Sequence, residues 1–372
     1  MNAHPLEKNE ELFYRLALSF VTGIGGRTGR SLIERFGSAT NVFRVPLKEL
    51  KNAEGIGEVK AKAFKNEDVF RKAEKEMNFV LHNEVQVLCL AQNYPIRLSG
   101  CSDAPLLLFY KGNADLESAK IVAVVGTRKN TDYGHKLCEE LIDGLRSLEG
   151  LLIVSGLALG IDAIAHKRCV QLGLPTVGVL GHGLDTVYPF THKTLAAQMQ
   201  ENGGLLTEFC SETPPDRNNF PMRNRIVAGM SDVTVVVESN SSGGALITAT
   251  LAAGYHRDVA AFPGRVTDSR SAGCNELIRT NMAAMITKAH DLVELMNWDM
   301  GKKKRAVQTQ LFLNLTADEQ KIIDLLQTRD TVHADELFHH SGLANSMLAA
   351  TLLQLEMQGL IKSLPGKFYR IY

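Results

Sequence analysis

Residues 121–180 read IVAVVGTRKNTDYGHKLCEELIDGLRSLEGLLIVSGLALGIDAIAHKRCVQLGLPTVGVL, and their rhythm decides the fold. Ile121–Val125 is an unbroken apolar run, as a strand covered on both faces requires. Tyr133–Leu148 follows with helical spacing, Leu151–Ser155 is a second apolar run, and Ile161–Leu172 is a second helix. Thr176–Leu180, Leu205–Thr207, Val233–Glu238 and Val259–Phe262 continue the alternation downstream. Strand and helix in strict succession predict an α/β fold with a doubly wound parallel, Rossmann-like sheet.

Outward from this core the chain changes character. Residues 1–78 are helical in pattern and carry two Gly-Ile-Gly turns, at 23–25 and 55–57. Residues 79–297 hold the sheet and begin with two short extended runs, Val85–Leu90 and Leu106–Tyr110. Residues 298–311 include the basic run Lys302-Lys303-Lys304-Arg305, which reads as a solvated linker able to help catch nucleic acid. Residues 312–372 form a small terminal unit, and no repeat of ~20–50 residues runs through the chain.

At 372 residues the chain is long enough for two or three domains. Its 41 Lys+Arg balance 41 Asp+Glu, so bulk charge does not hold it on nucleic acid and any such site must be a local patch. Six cysteines (Cys89, Cys101, Cys138, Cys169, Cys210, Cys274) are scattered without a C-x-x-C pair, which excludes a zinc ribbon and fits a reducing cytoplasm. No apolar run reaches the ~18–20 residues of a membrane span, and acids stand where a signal peptide carries its basic stretch. A cytoplasmic protein with no membrane span is expected.

In such a sheet, ligands bind where strands end in loops leading to helices. The loops here, 126–130, 155–162, 181–183 and 239–244, are rich in small residues that expose N–H groups, and helix N-termini add partial positive charge. Phosphate suits them. No G-x-G-x-x-G follows a strand and no G-x-x-x-x-G-K-[ST] occurs, so dinucleotide and P-loop NTPase readings lose their support. Fixed cations are offered instead by Arg128, Arg217, Arg223 and Arg225, with Phe220 among them. Cations with an aromatic ring beside phosphate-ready loops point to single-stranded nucleic acid. The competing reading makes Phe220 a core residue. Arg223 and Arg225 are two apart and do not share a helical face, so one of them is expected to be structural.

A catalytic constellation is not evident. Asp162 and His166 stand at i, i+4, but a carboxylate in a first helical turn caps backbone N–H groups, and capping with packing is the simpler reading. No G-x-S-x-G, H-E-x-x-H or Asp-rich cluster appears, and no catalytic residue, metal or cofactor is expected.

Leu50–Ala61 matches a helix-hairpin-helix pattern, with Lys60 and Lys62 nearby. Such hairpins either face a DNA phosphate or only pack. The terminal unit reads as helices Ala317–Thr328, Ala334–His340 and Ala344–Gln358 followed by a hairpin, which describes a winged helix. Its third helix carries no Lys or Arg and has Glu356, so packing or a protein contact suits it better than groove reading.

Residues ~100–297 resemble the DNA-processing protein A (DprA/Smf) family at nearly every strand end. The resemblance is carried by Val125-Gly126-Thr127-Arg128 with Tyr133-Gly134, by Ser155–Asp162 through Ala165-His166, and by Leu180–Asp185 with Tyr188-Pro189. Glu208, Phe220-Pro221, Arg223–Ile226, Ser242–Ala249, Pro263-Gly264 and Gly273–Ile278 complete it. A sterile-alpha-motif-like N-terminal unit and a winged C-terminal unit also fit longer members. The resemblance implies a cytoplasmic dimer of natural transformation that binds and protects incoming single-stranded DNA and loads the RecA recombinase, with no catalytic step. It implies that Gly126, Arg128, Ser155, Gly156, Arg223, Asn224, Arg225, Gly243 and Gly244 line the phosphate groove, with Arg217 as a further basic position and Phe220 as the stacking residue. Thr280–Ala283 departs from the family's usual Gly-Ala before the last strand, and Thr127 replaces a common Ser. A rival implication comes from Ser242–Ala245 with Glu208, similar to Rossmann-type nucleotide hydrolases of the lysine-decarboxylase-like group.

Overall fold

The computed structural model describes residues 5–90, 92–298, 315–327, 331–358, 360–364 and 367–371. Two compact units divide the chain, Met1–Gly301 and Lys302–Tyr372. The basic run at 302–305 lies outside the described residues.

The first unit is built on nine strands: β1 (Gln86–Cys89), β2 (Leu107–Gly112), β3 (Lys120–Val125), β4 (Leu151–Ser155), β5 (Thr176–Val179), β6 (Gly203–Thr207), β7 (Val233–Val236), β8 (Asp258–Ala261) and β9 (Ala284–Met285). Their order across the sheet is β1-β2-β6-β5-β4-β3-β7-β8-β9. From β6 to β9 every pairing is parallel, with Val122 opposite Ile153 on one side and Val233 on the other. β4, β5, β6 and β7 are buried along their whole length. Side-chain alternation splits each central strand between two cores: Ile121, Ala123 and Val125 face one apolar cluster, Val122 and Val124 the other. A sheet covered on both faces explains why these strands read as unbroken apolar runs rather than alternating ones.

The parallel sheet is as expected, and β1 and β2 extend it. Both join antiparallel, with Phe109 opposite Thr207 and Val87 opposite Phe109. The N-terminal helices, among them Pro5–Phe20, Gly26–Phe36 and Glu67–His82, pack on this edge. Leu16, Val42, Phe64 and Val80 share one apolar cluster with Val85, Cys89, Leu107 and Phe109 from the strands. The second Gly-Ile-Gly turn lies between helices Leu47–Lys51 and Glu58–Ala63 with Ile56 buried. There Lys62 pairs with Glu58, and Lys60 donates to the Gly55 carbonyl.

The second unit has helices Ala317–Gln327, Ala334–Ser341 and Asn345–Met357, and strands β10 (Val332–His333), β11 (Ile361–Leu364) and β12 (Phe368–Ile371) in the order β10-β12-β11. Ile322, Leu337, Leu352 and Leu355 form its core. This is the expected winged helix. Met347, Leu353 and Met357 on the third helix face solvent.

Candidate nucleic-acid interface

Strand order reverses at β3: the chain moves to one side through β4, β5 and β6, then returns to place β7 on the other. Where two strands lead to helices on opposite sides, their carboxyl ends part and leave a crevice. A cleft of about 580 Å³ lies there, lined by Gly126, Thr127 and Arg128 after β3, Gly156 and Ala158 after β4, and Ser239, Asn240 and Ser242–Ala245 after β7. The helix Asn219–Met230 supplies Phe220, Arg223 and Asn224, and Arg217 precedes it. The helices Ile161–Leu172 and Gly244–Gly254 begin at this edge, so their N-terminal amides add positive potential.

Of the eleven expected site residues, nine line this one cleft: Gly126, Arg128, Gly156, Arg217, Phe220, Arg223, Asn224, Gly243 and Gly244. Ser155 and Arg225 do not. Ser155 is buried and its hydroxyl donates to the Val124 carbonyl, because it is the last residue of a fully buried strand. Arg225 projects from the other side of its helix, where it pairs with Glu208 and donates to the Asp103 carbonyl. Lining by these two residues is therefore corrected.

Arg223 also differs from a simple phosphate ligand. It is 4% exposed, and Nη1 donates to the carbonyl oxygens of Gly156 and Val179. Burial lowers its pKa to about 10, opposed by the nearby Asp162 carboxylate and reinforced by repulsion from Arg128. The expectation that one of Arg223 and Arg225 is structural falls short: both are held by partners within the protein. Arg128 and Arg217 are the exposed cations of the cleft.

Phe220 is half-buried and lines the cleft, which settles its placement against a core role. The Arg128 guanidinium carbon stands 5.4 Å from its ring centroid. The loop that carries Arg128 is fixed by the buried Glu238: its carboxylate accepts from Thr131 N–H at 2.8 Å and Thr131 Oγ1 at 2.7 Å, and its carbonyl accepts from Thr127 N–H. The sequence offers Glu238 only as the end of the run Val233–Glu238, and Tyr188, another lining residue, only within the Tyr188-Pro189 pair of the resemblance.

Asp162 and His166 do not form a hydrogen-bonded pair. Asp162 Oδ2 accepts from the N–H groups of Gly156 and Ala158, shaping the loop after β4. His166 Nδ1 meets Thr176 Oγ1 at 2.7 Å, and burial holds its pKa at about 3. Glu208 lies outside the cleft, so the hydrolase reading loses the carboxylate it required beside Ser242–Gly244. Among the described residues no cluster of His, Cys, Asp or Glu could hold a metal, and no helix is long and apolar enough to cross a membrane.

The fold and cleft define a Rossmann-like protein with a cationic, aromatic-bearing crevice at its switch point. Residues 86–297 match the family model for DNA recombination-mediator protein A, and residues 308–367 match that for the DprA winged helix domain. The chain is similar to the DNA processing protein DprA of Streptococcus pneumoniae, 42% identical over 200 residues covering 54% of this chain and 70% of the relative. It is 33% identical to Protein Smf of Escherichia coli over 289 residues, 75% of each chain. With Protein Smf of Synechocystis the match extends over 97% of this chain and 99% of the relative, at 30% identity. The X-ray structure of the Streptococcus pneumoniae protein superposes with a TM-score of 0.67, covering 79% of this chain and 98% of that one at 32% identity. DNA processing protein A from Helicobacter pylori, described for its single-stranded DNA binding mode, superposes with a TM-score of 0.52 over 57% of this chain and 96% of that one, at 28% identity. The chain belongs to the DprA (DNA recombination-mediator protein A) family.

Proposed function

We propose that the switch-point cleft binds the sugar–phosphate backbone of single-stranded DNA with little sequence preference, and that the protein is a binder rather than an enzyme. The observation that carries this reading is the placement of exposed Arg128 beside the Phe220 ring, in a crevice lined by glycine-rich loops and helix N-termini. A cation for phosphate next to a ring for a base is what an unpaired strand needs and a paired one cannot use. Kinship with DNA processing proteins, and with a neighbour described for its single-stranded DNA binding mode, supports it.

Family membership supports the further reading that the bound strand is incoming DNA of natural transformation, protected and loaded with RecA by a cytoplasmic homodimer. In this reading 1–78 is a sterile-alpha-motif-like, helix-hairpin-helix domain, 79–297 the Rossmann-like DNA-binding domain, 298–311 a basic linker, and 312–372 a winged unit for protein contact or packing, since its third helix has no cation. A titration of fluorescent oligo-dT against matched duplex at two salt concentrations tests the central claim. Tighter binding of the single strand, weakening with salt, is expected; equal affinity for both, or none at low salt, overturns it.

A further inference from the structure

Two aromatic rings stand in solvent close together along the chain, one of them in the lining of the cleft. Tyr188, which lines it, is 50% exposed, and Phe190, two residues on, is 76% exposed. Aromatic side chains each offer ~150–250 Å² for burial, so two rings left uncovered here offer bases a surface to stack on. The Tyr188 ring centroid lies 5.9 Å from that of Phe220, with the planes 31° apart. Phe220 has the Arg128 guanidinium at 5.4 Å, and Phe190 has Lys193 Nζ at 5.8 Å from its centroid. Tyr188 and Phe190, two residues apart, have Cα atoms no more than ~7 Å from one another. Two aromatic–cation groups, Arg128 with Phe220 and Tyr188, and Lys193 with Phe190, are therefore joined by a two-residue step of chain, and each pairs a ring for a base with a charge for a phosphate.

The loop that presents Tyr188 is built to hold it still. His182 is buried, and its Nδ1 lies 2.8 Å from the Gly183 carbonyl oxygen, which can only accept, so Nδ1 carries the proton. Nε2 is then an acceptor, and it receives the Tyr188 backbone N–H at 3.3 Å. Burial pushes the imidazole below its ordinary range, which keeps that acceptor neutral. Gly183 N–H donates to the Thr213 carbonyl, and Asp185 accepts from Glu212 N–H, tying the loop to the chain after β6. On the other side Gly181 makes room for Phe220, since a Cβ there would stand 2.9 Å from its Cδ1.

We propose that Tyr188 and Phe190 extend the base-stacking surface that Phe220 begins, so that successive bases leave the cleft across Phe220, Tyr188 and Phe190 toward Lys193. This rests on the reading of the cleft as a single-stranded DNA site and names how its bases are held.

The test uses the full chain with two fluorescent strands of equal length, oligo-dT and a strand of abasic sites. Tyr188→Ala and Phe190→Ala each weaken oligo-dT binding by ~5- to 100-fold with an unchanged salt slope, and Tyr188→Phe binds as the parent does. On the abasic strand neither alanine variant differs from the parent. Strands carrying 5-iododeoxyuridine cross-link under ultraviolet light to the peptide containing Tyr188 and Phe190. If Tyr188→Ala and Phe190→Ala keep full affinity for oligo-dT while Arg128→Ala loses it, the track is wrong and the cleft stands. If Arg128→Ala also keeps it, the cleft reading itself falls. Equal losses on both strands assign the rings to structure or backbone contact and overturn the proposal, as do variants that bind DNA normally but change oligomeric state.

Discussion

Arg223 donates through Nη1 to the carbonyl oxygen of Gly156, and residue 156 is a glycine because a Cβ there would stand 2.5 Å from Arg223 Nη2. The arginine closes the floor of the cleft by tying the end of β5, at Val179, to the loop after β4. Its positive charge lies close to the buried Asp162, which in turn orders the same loop through two backbone amides.

Replacing Arg223 is therefore expected to unfold before it unbinds. Arg223→Ala strips two buried carbonyls of their donor and leaves Asp162 without its nearby cation, a loss on the order of 3 kcal/mol. Arg223→Lys keeps a charge near Asp162 but loses the Nε donation to Asn224 Oδ1 and the planar group that fits this junction, so it recovers only part of the loss. Gly156→Ala overpacks the same junction and costs ~1–3 kcal/mol. Urea unfolding of the three variants measures this; wild-type midpoints would show that the junction contributes nothing.

Arg128 and Arg217 behave in the opposite way. Both are exposed, so Arg128→Ala and Arg217→Ala leave the unfolding midpoint in place. Arg128→Ala weakens oligo-dT roughly ten- to hundredfold, as for ~1.5–3 kcal/mol in a hydrogen bond to a charged group. Each phosphate deprived of its cation reduces the slope of log affinity against log salt by ~0.7 for a single strand. Affinity that falls with the slope unchanged shows that the guanidinium was not neutralising a phosphate.

The sheet was legible because burial on both faces leaves a direct mark: β3 to β8 are apolar runs, and their bounds fall within about two residues of expectation. The edge was not. Val85–Leu90 and Leu106–Tyr110 read as extended, yet an apolar run does not state its partner or direction, and both join antiparallel. The site was legible as a set of loops, since small residues after strands announce backbone approach. Which arginine faces the cleft was not, because spacing of two separates Arg223 from Arg225 without saying what each side meets. That depends on Glu208 and Asp103 waiting on one side and two strand-end carbonyls on the other.

His166 makes the fold sensitive to acid. Its pKa falls from 6.5 to about 3 on folding, because burial penalises the imidazolium. Between those values the unfolded chain binds the extra proton, so stability rises with pH and is complete above ~6.5. His166→Asn, which cannot charge, flattens this part of the profile. Urea midpoints at pH 4 and pH 7 measure it; a variant as acid-sensitive as the parent rules His166 out as the source.

Glu208 pulls the other way. It packs against Arg225, near Asp103 and the Tyr94 ring, and burial raises its pKa from 4.5 to about 7 despite the arginine. The folded protein holds that proton where the unfolded chain has released it, so this contribution is present below pH 4.5 and is lost as pH rises through 7. Glu208→Gln keeps an oxygen for Arg225 but cannot ionise. Relative to the parent it gains stability as pH rises from 4.5 to about 7 and levels off above that, while its affinity for oligo-dT stays the same because residue 208 lies outside the cleft. Parallel pH profiles for the two proteins would show that Glu208 titrates normally. A variant with normal stability and lost DNA binding would place the carboxylate in the site after all.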